Sequence, residues 1–122
     1  MKNLKLAFVI AGVALMGLSL PASAAQPAGK WVRPNGDITQ VSQHDGLLYC
    51  KIIKGKTPGF EMCNGMKKAG QDVWQGGGMK HPGMPSFMTF NGTVTVQANT
   101  LNIKGCAVGQ TMCDSENWKR VN

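Results

Sequence analysis

Apolar and polar residues alternate along this chain with a period of two, the mark of half-buried strands, and no stretch carries the repeat of an amphipathic helix. The clearest case runs from Thr100 to Val121, where Leu101 and Ile103 share one face and Asn102 and Lys104 the other. Gly109 marks a turn over residues 108–111, so this stretch reads as a hairpin. Six residues separate Cys106 from Cys113, which places their sulfurs on adjacent strands within disulfide range. The returning strand sends Trp118 and Arg120 to one face, where a guanidinium can lie over an indole and close one end of a small barrel. Val94, Val96 and Ala98 line up on one side of residues 93–98. The run LLYCKIIK, residues 47–54, is rich in branched and aromatic side chains. Ile38 and Val41 differ in parity within residues 38–43, which requires a bulge or the burial of only one of them.

Turn chemistry separates these runs. Pro34-Asn35-Gly36-Asp37, Asp45-Gly46, Asn91-Gly92 and Asn99-Thr100 each punctuate the pattern. Residues 55–71 read as a long loop with at most one helical turn, pinned by Cys63, and residues 72–75 resume a strand at Trp74. The three glycines at 76–78 are read as a bent strand, because no Lys-Ser or Lys-Thr follows as a phosphate loop requires. The result is seven or eight short strands in an all-β sandwich or barrel, needing roughly 88 residues.

The first residues do not belong to that pattern. Lys2 and Lys5 precede an uncharged apolar run at 6–20, and Pro21-Ala22-Ser23-Ala24 supplies small residues for a signal peptidase. Residues 1–24 therefore read as an export signal cleaved after Ala24. The fifteen residues of the apolar run fall short of the roughly 20 needed to span a bilayer, and no transmembrane segment is expected after cleavage. The remainder, 122 − 24 = 98 residues, makes one domain over 25–122. So short a chain buries only about 60 to 65% of its unfolded surface and needs staples. Export to an oxidising compartment lets the 4 cysteines provide two. The local pairing Cys50–Cys63 and Cys106–Cys113 is favoured among three connectivities, closing loops worth about 3 and about 2.5 kcal/mol. Scattered thiols without a Cys-x-x-Cys pair argue against zinc.

Charge narrows the partners. Of 13 Lys and Arg, 2 lie in the export segment, and the remaining 11 against 6 acids leave a net +5. Lys51, Lys54, Lys56, Lys67 and Lys68 bunch together. Outside the cytosol such a patch meets lipid headgroups, lipopolysaccharide phosphates or a small acidic ligand rather than nucleic acid.

Candidate chemistry is sparse. His44 and His81 are the only histidines, and neither stands in a nucleophile-and-base spacing, so a non-enzymatic protein is expected. Three binding readings remain. The first is a periplasmic protein holding a small apolar or amphipathic molecule in or at the mouth of a small barrel, contacted by Trp74, Met79, Phe87, Met88 and Phe90. The second is cuprous copper on Met79, His81, Met84 and Met88, since thioethers select soft cations. The third is docking of an envelope partner or anionic surface through the basic stretch of residues 51–68.

Several of these residues carry a resemblance: Gly29-Lys30-Trp31 followed by Asn35-Gly36, Leu48-Tyr49-Cys50-Lys51-Ile52, Trp74-Gln75-Gly76, Pro82, Asn99-Thr100-Leu101, Lys104-Gly105-Cys106 and Trp118-Lys119-Arg120-Val121. In their order and spacing the chain resembles the bacterial envelope family known as domain of unknown function 2147. The resemblance implies a small antiparallel up-and-down barrel, lipocalin-like or calycin-like. Trp31 and Arg120 resemble the lipocalin pairing of an early Gly-x-Trp with an arginine on the last strand. The chain departs from the family pattern at His81, where an acidic residue precedes the proline.

Overall fold

The computed structural model describes residues 26–107 and 110–121. The export segment with its cleavage point, and Gly109 of the last hairpin turn, lie outside the described residues. Eight strands pair antiparallel in sequence order and close into an up-and-down barrel. They are β1 (Gly29–Val32), β2 (Ile38–His44), β3 (Leu47–Lys54), β4 (Met66–Gly70), β5 (Val73–Met79), β6 (Phe90–Gln97), β7 (Thr100–Ala107) and β8 (Met112–Arg120). Among the described residues there is no helix.

The period of two puts alternate residues inside. Trp31, Val41, Leu48, Ile52, Val94, Val96, Leu101, Ile103 and Trp118 are all buried, and their summed apolar surface is the main drive for closure. Ile38 and Val41 are reconciled by a register shift at Ile38/Thr39, where the pairing jumps from Lys54 to Ile52. Ile53 is thereby pushed out of register and left 41% exposed. Ala98, expected on the face of Val94 and Val96, instead takes a left-handed turn conformation between β6 and β7.

Residues 55–71 differ from the expected loop. β4 lies within them, and residues 59–65 run back along β3 through Ile52 N to Phe60 O, Met62 N to Cys50 O and Gly65 N to Leu48 O. Left-handed conformations at Gly59, Asn64 and Gly65 let an irregular segment pair with a strand. No helical turn forms. One Glu61 carboxylate oxygen, Oε2, accepts the backbone N–H groups of Cys50, Cys63 and Asn64 at 2.6, 3.1 and 3.1 Å. With the Cys50–Cys63 disulfide, it secures a seam where β3 and β4 share only Leu47↔Lys67 and Leu48↔Met66.

The other narrow seam closes the barrel, with Trp31↔Arg120 and Val32↔Lys119 joining β1 to β8. Arg120 lies over the Trp31 ring, 4.2 Å from its centroid. Its guanidinium also donates to the carbonyls of Gln26, Ala28 and Ala98, while Trp31 Nε1 donates to Pro27 O at 2.9 Å. One side chain thus joins the entry strand, the last strand and the β6–β7 turn. The second disulfide, Cys106–Cys113, bridges directly paired positions of β7 and β8.

Candidate functional site

The two ends of the barrel differ. Short turns at Asp45-Gly46, Gln71-Asp72 and Ala98-Asn99 close one end. At the other, the connections are residues 33–37, 55–65, 80–89 and 108–111, and this loop end gathers the polar side chains of the interior.

Arg33 continues the inward parity of Trp31 and is 5% exposed. The turn after it is tied by Arg33 N to Asp37 O and Gly36 N to Arg33 O, with Asn35 Oδ1 accepting from Asp37 N. It returns Asp37 Oδ2 to 2.9 Å from Arg33 Nη1. From the far end of the chain, β8 brings Glu116, whose Oε1 accepts from Arg33 Nε at 2.8 Å and from Trp118 Nε1 at 2.6 Å. His81 completes the group, with Nε2 3.4 Å from Arg33 Nη2 and Nδ1 accepting from Gly83 N at 3.0 Å. Ser115 lines the same small cavity as His81 and Glu116, yet neither ring nitrogen is offered to it as a base.

Burial by itself raises the pKa of Glu116, but hydrogen bonds from Arg33 and Trp118 and the nearby positive charge outweigh it and leave the carboxyl below its ordinary 4.5. A depressed carboxyl contributes stability that is present above the unfolded value and lost as pH falls through the folded one. Thermal melts of the wild type are therefore expected to decline below about pH 4.5. Glu116→Gln should melt lower at neutral pH and decline less over that acid window. Parallel curves for the two proteins would refute the assignment.

The interior is filled. Gly76, Gly92 and Gly105 lie side by side on β5, β6 and β7, and the space they leave takes the Met66 and Met79 side chains. The cavity at the loop end, bounded by Met62, Met79, Ile103 and the acids of β8, holds about 40 Å³, room for a water or two. A larger groove of about 270 Å³ runs on the outer wall past Gln75, Asn91 and Thr93, away from the residues expected to bind a ligand.

Those residues do not form one site, although Met79 and Phe90 pair directly across β5 and β6. Trp74 is buried near the tight-turn end, beneath Lys68 Nζ at 5.0 Å from its ring centroid, and its Nε1 has no hydrogen-bond partner among the described residues. Met79 is buried in the wall, and Phe90 packs half-buried on the core. Phe87 is 84% exposed, and Met88 half-buried, on the 80–89 loop. The copper set is divided too: Met79 Sδ faces Gly92 and Gly105 on the inside, whereas Met84 is exposed. Among the described residues no group of three or more His, Cys, Asp or Glu is placed to hold a metal. The loop bearing these residues spans the mouth, tied by Lys80 N to Met62 O, Lys80 Nζ to Ser86 O, and turns at Met84 N to His81 O and Met88 N to Pro85 O.

Reading by motif passed over Arg33, Asp37, Glu61 and Glu116. The signal for two of them was parity. Arg33 shares a face with Trp31, and Glu116 with Trp118 and Arg120, so opposite charges on the first and last strands must meet once the barrel closes.

No curated protein matches the chain, and no solved structure matches it. A family model described as an uncharacterized protein conserved in bacteria, DUF2147, matches residues 29–120, from the first residue of β1 to the last of β8, and the chain belongs to that family.

Proposed function

We propose that this is an exported, non-enzymatic envelope protein that holds an amphipathic molecule at the loop end of the barrel rather than inside it. The observation that carries the reading is Phe87, left 84% exposed on a loop fastened across a filled barrel. An aromatic ring held in water by a tied loop forgoes burial worth about 2 kcal/mol, which a bound acyl chain would recover. Met84, 42% exposed on the same loop, widens the apolar surface. Lys56, on the neighbouring 55–65 loop, offers a cation to a polar head. The export motif and the paired cysteines support an oxidising, extracytoplasmic setting. His81 Nδ1 is taken by the Gly83 N–H and its Nε2 faces Arg33 Nη2, a setting that favours binding over catalysis.

Native mass spectrometry with added lysophosphatidylglycerol tests it. A one-to-one complex is expected with the wild type. Phe87→Ser should weaken it about tenfold or more while leaving the melting temperature unchanged, since the ring contributes little to the fold. Equal binding by both proteins would remove the reading.

A further inference from the structure

We infer that the outer face of β8, β1, β2 and β3 is a docking surface for an anionic phospholipid bilayer, separate from the mouth of the barrel. The strand register creates it. Lys119 pairs with Val32, Val32 with Ile38, and Ile38 with Lys54, giving one outward row with lysines at both ends. Lys30 pairs with Gln40, and Gln40 with Lys51, giving a second row beside it. At about 4.8 Å between strands, Lys119 and Lys54 lie roughly 14 Å apart and Lys30 and Lys51 roughly 10 Å. Four ammonium groups thus cover a patch that sequence order disperses over ninety residues of chain, from 30 to 119.

Two further features choose the occupant. The first is the fate of the acids. Glu61, whose backbone bridges to that of Lys51 at the end of the second row, has its Oε2 taken by three backbone N–H groups. Asp37 and Glu116 turn to Arg33. Among the described residues no carboxylate forms an ion pair with these four lysines. The second is apolar surface among the cations. Half-buried Val32 and Ile38 sit between Lys119 and Lys54, and the bulge extrudes Ile53, 41% exposed, between Lys51 and Lys54. Lysines interleaved with branched apolar side chains match a headgroup region over acyl chains. A soluble polyanion would use the charges and have no use for Ile53.

Vesicle co-sedimentation of the protein at low and physiological salt tests the inference, with phosphatidylglycerol and phosphatidylcholine vesicles compared. Binding to the anionic vesicles alone is expected, weakening as salt rises. At about fivefold per lysine near the surface, Lys30→Gln with Lys51→Gln should lower the partition about 25-fold, and Ile53→Ser should lower it several-fold. Lys67→Gln with Lys104→Gln, on the row Lys67–Gln75–Thr93–Lys104 of the opposite wall, should stay within about twofold. An equal loss from that control pair would overturn the inference in favour of net charge. Soluble polyphosphate bound as tightly, and insensitive to Ile53→Ser, would overturn it in favour of a polyanion. Phe87→Ser separates the two surfaces: vesicle binding abolished by that change alone would place docking at the mouth and refute the lysine face, whereas its retention leaves the face standing whatever becomes of the ligand at the mouth.

Discussion

Arg33→Met is expected to cost about 3 kcal/mol, lowering the melting temperature by roughly 12 to 20 °C in a domain of this size. The side chain is 5% exposed and engages two carboxylates, Asp37 at 2.9 Å and Glu116 at 2.8 Å. Removing it leaves both facing an apolar interior, and Trp118 Nε1 remains fastened to a charge that has lost its counter-ion. The side chains of Asp37 and Glu116 are 15% and 23% exposed, so water reaches them in part and the cost falls at the lower end of the range for breaking a buried pair. The decisive comparison is the double variant Arg33→Met with Glu116→Leu. If the penalty is the unpaired charge, replacing both partners with apolar groups should recover a good part of the loss. Chemical denaturation finding the double variant as unstable as the sum of the two singles would show that shape, not charge pairing, sets the site's contribution.

The Arg33 cluster also marks how far the sequence could be read. Strand faces were legible wherever alternation was strict, as at Leu101 and Ile103 or Val94 and Val96, because one buried face imposes the pattern directly. Local cysteine spacing and most turn residues were legible for the same reason, their causes lying within a few positions, but Asn91-Gly92 sits inside β6 instead of at a turn. Residues 55–71 were not. β4 carries Met66, then Lys67 and Lys68, with a single buried position, and its pairing partners on β3 lie nearly twenty residues upstream. The segment before it is held to β3 by a carboxylate capping three backbone amides, an arrangement with no periodic trace. The candidate ligand residues do not come together as one group, for a related reason. Aromatic and methionine residues signal burial equally well whether they fill a core or line a cavity, and here Met66 and Met79 fill the space that glycines leave.

That filling makes Gly92 the most sensitive backbone position in the barrel wall. A Cβ added there would lie 2.5 Å from Met66 Cε and 2.9 Å from both Cβ and Sδ of Met79. The methyl end of Met66 can swing aside, but Met79 Cβ is fixed by its own strand, and its thioether already lies so near Gly105 that a Cβ there would meet it at 3.1 Å. Gly92→Ala should therefore destabilise by about 2 kcal/mol, and Gly92→Val by about 3 kcal/mol or more, as over-packed cores do. The cause is side-chain collision in a β-strand residue without positive φ, so it is correctable from the other side. Met79→Ala alone should lose about 2 to 3 kcal/mol through the cavity it opens. Combined with Gly92→Ala, it should lose clearly less than the sum, with a coupling of about 1 kcal/mol or more in urea titrations. Strict additivity would mean that the wall can spread to admit the extra carbon, and the same give would then admit a ligand to the interior. Strong coupling means a rigid, occupied core that has no room to admit a ligand between Gly92 and Met79.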